Sequence, residues 1–341
     1  MNSPVETIPP LPLLITGVAG VAGYNAFHFF RARYSDQVVG IRQVNNWPLR
    51  GAGIVACNAE DRDGLARLFD QHQFAAVLNC AGNCALKSCE LDPRLAWRTN
   101  GESIENLLTV IDQRATRLVH LSIDLVFSGR GAGQYTEFST TDPVTVYGKT
   151  MVEAEQRLLA GSPHSCILRI SLPMGISFNG HAGAIDWIQS RFRKFKPATL
   201  YFDEIRTPTY TDCLNKLCAT VLANDLQGIY HAGGPRCLSL YQIAQIVNRV
   251  GGYNPDNLMG CPRCAAGPVP PRAGNVSLDS SKLTRELGFA PFDPWPLHDD
   301  YVPTHRDWHR ERRNGEEVSP ELLAAVLYQN PRWTTQREMT F

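Results

Sequence analysis

Neither sign of charge predominates in this 341-residue chain, where 33 lysines and arginines face 33 aspartates and glutamates. That balance leaves no basic surplus to attract nucleic acid or an anionic membrane surface. No apolar run reaches the roughly eighteen residues from which a membrane-crossing helix is built. The start, MNSPVETIPPLPLLITG, lacks the basic stretch of a secretory signal, and its apolar portion reads as a first strand. No internal repeat is visible. These absences imply a cytoplasmic protein with neither nucleic acid nor membrane as partner.

A second pair of metal-spaced cysteines is also missing. Ten cysteines are present, and several, such as Cys80 in VLNCAG and Cys166 in SCILRI, fall inside apolar runs where a thiol acts as a small hydrophobe. Without a secretory signal they read as reduced. Cys261-Pro-Arg-Cys264 has zinc-ligand spacing, but no second pair follows it, and His231 and Cys237 lie at no recognised distance. It reads as a loop dithiol, with no metal.

What is present centres on Leu13–Gly23, LLITGVAGVAG. Leu13, Leu14 and Ile15 form the short apolar run of a buried parallel strand. Gly17, Gly20 and Gly23 follow at intervals of three, and then Tyr24, Ala26, Phe27 and Phe30 take helical spacing. A strand turning sharply on glycine into a helix aims free N–H groups and the positive helix end at one spot, which suits a pyrophosphate. The loop Gly17, Val18, Ala19, Gly20, Val21, Ala22 and Gly23 is therefore the candidate cradle of a dinucleotide.

Strands alternate with helices from there on. Strands are expected at Gln37–Arg42, Gly53–Cys57, Ala75–Cys80, Arg117–Ser122 and Ser165–Ile170, with helical spacing over Asp63–Gln71, Asp92–Ile111 and from Tyr147 to Leu159. This pattern predicts an α/β fold with a Rossmann-type, doubly wound parallel sheet. Arg42 ends the second strand where an acidic residue would select NAD. A cation there suits a 2′-phosphate, so NADP is the expected cofactor, with NAD as the alternative. Asn58 and Ala59 after the third strand, and Cys80, Ala81 and Gly82 after the fourth, complete the expected cofactor wall. The organisation expected is a mobile proline-rich leader over 1–12, a nucleotide-binding domain over 13–170, a smaller interleaved substrate lobe over 171–300 and an appendage over 301–341. In the second half, helices are expected at Ala184–Phe195, Tyr210–Leu222, Ser239–Arg249 and Pro320–Tyr328.

With these pieces placed, the chain resembles the extended short-chain dehydrogenase/reductases, and within them the dTDP-4-dehydrorhamnose reductases. It is also similar to the regulatory β subunit of methionine adenosyltransferase. The resemblance spans roughly residues 12 to 290. It rests on TGVAGVAG, on VLNCAGNCALKSCELDPRLAWRTN with Asn100, on HLSIDLVFSG, on YTEFSTTDPVTVYGKT, on DEIRTPTYTDCL with Arg206 and Thr207, and on NVSLDSSKLTRELGF. It implies hydride transfer from NAD(P)H to a nucleotide-linked keto sugar, and a homodimer through two helices beside the sheet. A tyrosine gives its proton to the alkoxide, a lysine four residues later lowers the tyrosine pKa, and a strand hydroxyl binds the carbonyl.

Two of those three positions depart here. Tyr147 occupies the tyrosine's place, but Met151 stands four residues on, and Lys149 lies about 200° round the helix. Ile123 occupies the hydroxyl's place, with Ser122 one residue early on the opposite strand face and Asp124 just beyond. The candidate catalytic set is therefore Tyr147, Asp124 and Ser122, with Tyr147 and Met151 also facing the cofactor. Lys87, Arg206 and Thr207 are the candidate substrate contacts, although Lys87 also reads as a solvated charge, and His120 reads as a core histidine. Two functions follow: an NAD(P)-dependent oxidoreductase with an atypical site, or a catalytically silent NADP(H)-binding sensor or regulatory subunit.

Overall fold

The structure, a computed structural model, describes residues 8–111, 115–311 and 318–330. The first half runs β1 (Leu13–Ile15), α1 (Val21–Tyr34), β2 (Val38–Arg42), β3 (Ile54–Ala56), α2 (Arg62–His72), β4 (Ala76–Asn79), α3 (Leu86–Leu91), α4 (Pro93–Trp97), α5 (Ser103–Ile111), β5 (Arg117–Ile123), α6 (Val146–Gly161) and β6 (Cys166–Ile170). The second half is built from shorter pieces. They are β7 (Pro173–Met174), α7 (Ala184–Arg193), β8 (Ala198–Tyr201), β9 (Ile205–Arg206), β10 (Thr209–Tyr210), α8 (Thr211–Leu222), β11 (Gly228–Ala232), β12 (Leu238–Ser239), α9 (Leu240–Val250), β13 (Leu258–Cys261), α10 (Ser281–Leu287) and α11 (Pro320–Leu327).

The central sheet has seven strands in the order β11-β6-β5-β4-β1-β2-β3. Every pairing in it is parallel. The order reverses between β1 and β4, the place where sheets of this kind form a crevice at the carboxyl ends of their strands. The strands read as apolar runs because both sheet faces are covered. Leu13, Ile15, Leu78, Val119 and Leu168 point to one core, shared with α1, α7 and α8. Leu14, Val77, Leu118 and Ile167 point to the other, under α2, α5 and α6.

Two of the expected helices differ from the sequence pattern. The helix expected over Asp92–Ile111 is widened at Arg98–Glu102, where the N–H of Ser103 reaches back five residues to the Arg98 carbonyl. A bulge of this kind turns the residues within it relative to the helix on either side. The helix expected to reach Phe195 ends at Arg193, because Phe195 takes a left-handed φ of 53°.

The leader's residues 1–7 lie outside the described residues. Pro12, at the leader's end, is held, its carbonyl accepting from the N–H groups of Ala75 and Ala76 at 2.9 and 3.3 Å. Described parts of the tail join the core of the second half. Trp308 is buried under the Arg249 guanidinium, 4.3 Å from its ring centre. Tyr210 donates its hydroxyl proton to the Val326 carbonyl at 3.2 Å, and the Trp295 indole donates to that of Leu327 at 3.1 Å. Trp333 lies outside the described residues. Among the described residues no helix is long and apolar enough to cross a membrane.

Candidate functional site

The glycine loop closes the crevice from one side. Gly17 has φ +66°, and a Cβ there would lie 2.4 Å from the Cys80 carbonyl oxygen. A side chain is thus excluded both by backbone conformation and by the neighbouring loop. A Cβ on Gly23 would lie 2.3 Å from the Gly17 carbonyl oxygen, so glycine lets α1 sit against the strand end. Gly20 is exposed, and a Cβ there would meet only the Gly17 carbonyl oxygen, at an ordinary 3.5 Å. Its α1 N-terminus carries no side-chain cap and no acidic residue in the first turn. Free N–H groups and the helix dipole therefore point into the crevice, where a diphosphate finds its donors. Val18 ties the loop to β2 through its N–H and the Ile41 carbonyl, at 3.2 Å.

Arg42 ends β2 beside this loop, half-buried, with one guanidinium nitrogen donating to the carbonyls of Gln43 and Val44 at 2.9 and 3.2 Å. Asn58 accepts the Val44 N–H at 2.9 Å and so braces the same turn, with the half-buried Ala59 next to it. On the far side of the crevice, Cys80 and Ala81 are half-buried and Gly82 is exposed. Asn100, inside the helix bulge, accepts the Asn83 N–H at 2.6 Å and donates to the Thr150 hydroxyl at 2.9 Å. Thr150 in turn donates to the Tyr147 carbonyl at 2.9 Å. Asn100 thus clamps the loop after β4 onto α6.

Tyr147 and Met151 sit one turn apart on α6, only 7% and 2% exposed, in an apolar cluster with Cys89, Val126 and Phe127. Burial pushes the Tyr147 phenol well above its usual range, and nearby Cys84, Asp124 and Cys89 all push it the same way. Lys149 is exposed, and Ile123 packs against the same cluster. The phenol therefore keeps its proton throughout the neutral range.

Of the residues placed together from sequence, the structure keeps Asp124 near Tyr147 and turns Ser122 to other partners. Ser122 is fully buried and donates to the Glu155 carboxylate, two turns beyond Tyr147 on α6. Glu155 is also gripped by Arg169 at 2.9 and 2.7 Å. The Ser122 hydroxyl is spent inside that buried ion pair. Asp124 accepts from Ser171 at 2.6 Å and lies 3.6 Å from Arg206. Burial raises its carboxyl despite Arg206 and Ser171, which act to lower it. Arg206 itself, 5% exposed, sits between Asp124 and Glu204, the latter at 3.7 Å, and Glu204 lies 3.6 Å from Arg272. Its charge is already met by protein carboxylates. Thr207 is buried, its N–H bonded to the Ser171 hydroxyl at 3.1 Å. Lys87 is exposed on α3. Thr150, next to Met151, and Ser171, just past β6, are not among the expected site residues, and no motif in the sequence marks their hydroxyls. Among the described residues no group of three His, Cys, Asp or Glu is placed to hold a metal ion.

The parallel sheet order, the glycine turn into α1 and the Tyr147-bearing α6 define an extended short-chain dehydrogenase/reductase fold. The model of the RmlD substrate binding domain family matches residues 11–297, and the chain belongs to that family. A dTDP-4-keto-6-deoxy-D-glucose reductase of Streptomyces niveus is 26% identical over 83% of this chain and 93% of its own. The methionine adenosyltransferase 2 subunit beta of Xenopus laevis is 25% identical over 82% of this chain and 83% of its own. A dTDP-4-dehydrorhamnose reductase from Bacillus anthracis, solved in complex with NADP, superposes with a TM-score of 0.71 at 19% identity. That match covers 83% of this chain and 95% of the other.

Proposed function

We propose that this chain binds NADP(H) in the crevice between β1 and β4 and acts as an oxidoreductase on a keto group of a nucleotide-linked sugar. The observation that carries the binding half is the Gly17 turn, left-handed and pressed to within Cβ-excluding distance of the Cys80 carbonyl beside an uncapped helix end. These residues fit a dinucleotide: the first turn of α1 offers donors to a diphosphate, and Arg42 offers a cation to a 2′-phosphate. The NADP complex of the Bacillus anthracis relative and the reductase name of the Streptomyces niveus relative support the same reading.

NADP(H) supplies the hydride when bound. What the chain supplies is a protonated phenol at Tyr147, held by α6 against Val126 and Phe127. Such a phenol can give its proton to an alkoxide formed next to it, but no lysine follows on its helix face to stabilise the phenolate left behind. Ile123 offers no hydroxyl to the carbonyl. Proton transfer by this site is therefore slower than in a site with a lysine at that turn.

The same observation favours a second reading, a dinucleotide-binding regulatory subunit. The methionine adenosyltransferase 2 subunit beta is a relative of comparable identity. Purified protein with NADPH and a panel of 4-keto sugar nucleotides separates the two. Steady loss of nicotinamide absorbance that depends on Tyr147 supports the oxidoreductase. Tight NADPH binding without turnover on any member supports the regulatory subunit, and absence of NADPH binding refutes both.

A further inference from the structure

Three polar side chains from adjacent strands lie beneath the glycine loop on one face of the sheet, and their hydrogen bonds run in one direction only. Thr16 follows β1, Asn79 ends β4 and His120 lies in β5. The Thr16 hydroxyl oxygen receives the backbone N–H groups of Cys80 and Ala81, each at 3.0 Å. An amide N–H can only donate, so the single Thr16 proton goes to its remaining partner, the Asn79 side-chain oxygen. The Ala81 N–H also points to that oxygen, at 3.3 Å, which fixes which end of the Asn79 amide faces Thr16. The Asn79 nitrogen is then left to donate to His120 Nδ1 at 3.0 Å. That nitrogen must carry a lone pair, so the ring is neutral with its proton on Nε2.

The arrangement has a cost. His120 is 1% exposed, and its Nε2 has no hydrogen-bond partner among the described residues. A buried donor left unpaired destabilises a fold, and an apolar side chain at this place would avoid the penalty. What the ring supplies in return is an acceptor for Asn79. Without it the amide is free to flip, and its nitrogen then faces the Thr16 hydroxyl and the Ala81 N–H.

We propose that His120 is a positioning residue for the dinucleotide cradle, acting through Asn79 and Thr16 to fix the Cys80–Ala81 backbone against Gly17. It touches neither cofactor nor substrate. The proposal rests on the cradle being a dinucleotide site, but its first test does not. Nitrogen-15 correlation spectra of the cofactor-free protein at neutral pH should show His120 as the Nε2–H tautomer, assigned by loss of the signal in His120→Asn. An Nδ1–H or doubly protonated ring overturns the directed chain whether or not NADPH binds.

The second test measures NADPH binding by His120→Leu and His120→Asn. Asparagine places an oxygen close to where Nδ1 lies and can accept from Asn79, whereas leucine cannot. His120→Leu should weaken NADPH binding about tenfold, the worth of one misdirected hydrogen bond, and His120→Asn should restore it to within about threefold. The Leu variant also removes the unpaired donor, so its thermal midpoint should move far less than its affinity. Leucine and asparagine variants that bind NADPH equally overturn the positioning role. If the unaltered protein binds no NADPH, the functional reading fails, and the tautomer still decides whether the chain of hydrogen bonds is as described.

Discussion

Met151→Lys returns a cation to the helix face of Tyr147, and its effect can be worked from the site. Met151 is one turn from Tyr147 and 2% exposed, inside a cluster of apolar side chains. An ammonium about 4 Å from the phenol oxygen is worth about 4 kcal/mol at an effective dielectric of about 20. That corresponds to about three pKa units on the phenol. The full amount is not realised, because desolvation lowers the pKa of the buried lysine itself, so it is charged only part of the time at neutral pH. Asp124, one of the groups already acting on Tyr147, favours the charged lysine and offsets part of that loss. We expect the Tyr147 phenol to fall by about one unit or more, equivalent to about 1.4 kcal/mol and a tenfold gain in any proton-transfer step it limits. Two assays read this. The ultraviolet phenolate band is titrated in Met151→Lys and in Met151→Lys/Tyr147→Phe, whose difference isolates Tyr147 among 11 tyrosines. Single-turnover reduction of a keto sugar nucleotide reports the rate. A folded Met151→Lys protein whose Tyr147 titrates where it does in the unaltered chain would refute the electrostatic argument. An unchanged rate with a lowered phenol would show that proton transfer does not limit the reaction.

Other expected outcomes follow from the same geometry. Gly17→Ala should destabilise the fold by at least about 1–2 kcal/mol from left-handed backbone alone. It should abolish NADPH binding as the Cβ displaces the Cys80 carbonyl, and a denaturation midpoint and affinity both unchanged would contradict the close approach. Arg42→Ala should cut the preference for NADPH over NADH by about tenfold or more, the worth of a charge-assisted hydrogen bond, and equal affinities in the unaltered chain would count against Arg42 as a phosphate contact. His120 and His231 are buried, and burial holds each at about 4, against 6.5 for an unperturbed histidine. Their folded values are depressed, so their contribution is complete above pH 6.5 and is lost as pH falls toward 4, at about 1.4 kcal/mol per unit for each. The buried carboxyls of Asp124 and Glu204 are raised and oppose this trend. The check is therefore differential urea unfolding. His120→Asn should flatten the acid-side slope by about 1.4 kcal/mol per unit, and an unchanged slope would contradict the neutral, buried ring.

Local chemistry sets much of this protein's secondary structure without any tertiary contact. The apolar run Leu13–Ile15, the glycines at 17, 20 and 23 and the helical spacing after them depend only on neighbours in the chain, and β1, the turn and α1 form where that spacing places them. The same holds for β2 through β6, each within a residue or two of its expected bounds. That Met151 shares a helix face with Tyr147 was also legible, because the position four residues on is set by helix geometry.

The partners of the polar side chains were decided by the tertiary structure alone. Ser122 was in the candidate catalytic set, yet its hydroxyl donates to Glu155, which Arg169 also holds, because β5 lies beside β6 and under α6. Arg206 looked like a ligand contact, yet it meets Asp124 and Glu204 in the interior. Asn100 acquired its two partners only through a widened helix turn that periodicity does not register, and the tail reached the core only by packing Trp308, Val326 and Leu327 against distant helices and loops. Secondary structure follows from spacings of two to four residues, whereas a buried charge or hydroxyl takes its partner from whichever strand the sheet order sets beside it. That order places Thr16, Asn79 and His120 in one line beneath the glycine loop, and no local pattern in the three segments foretells it.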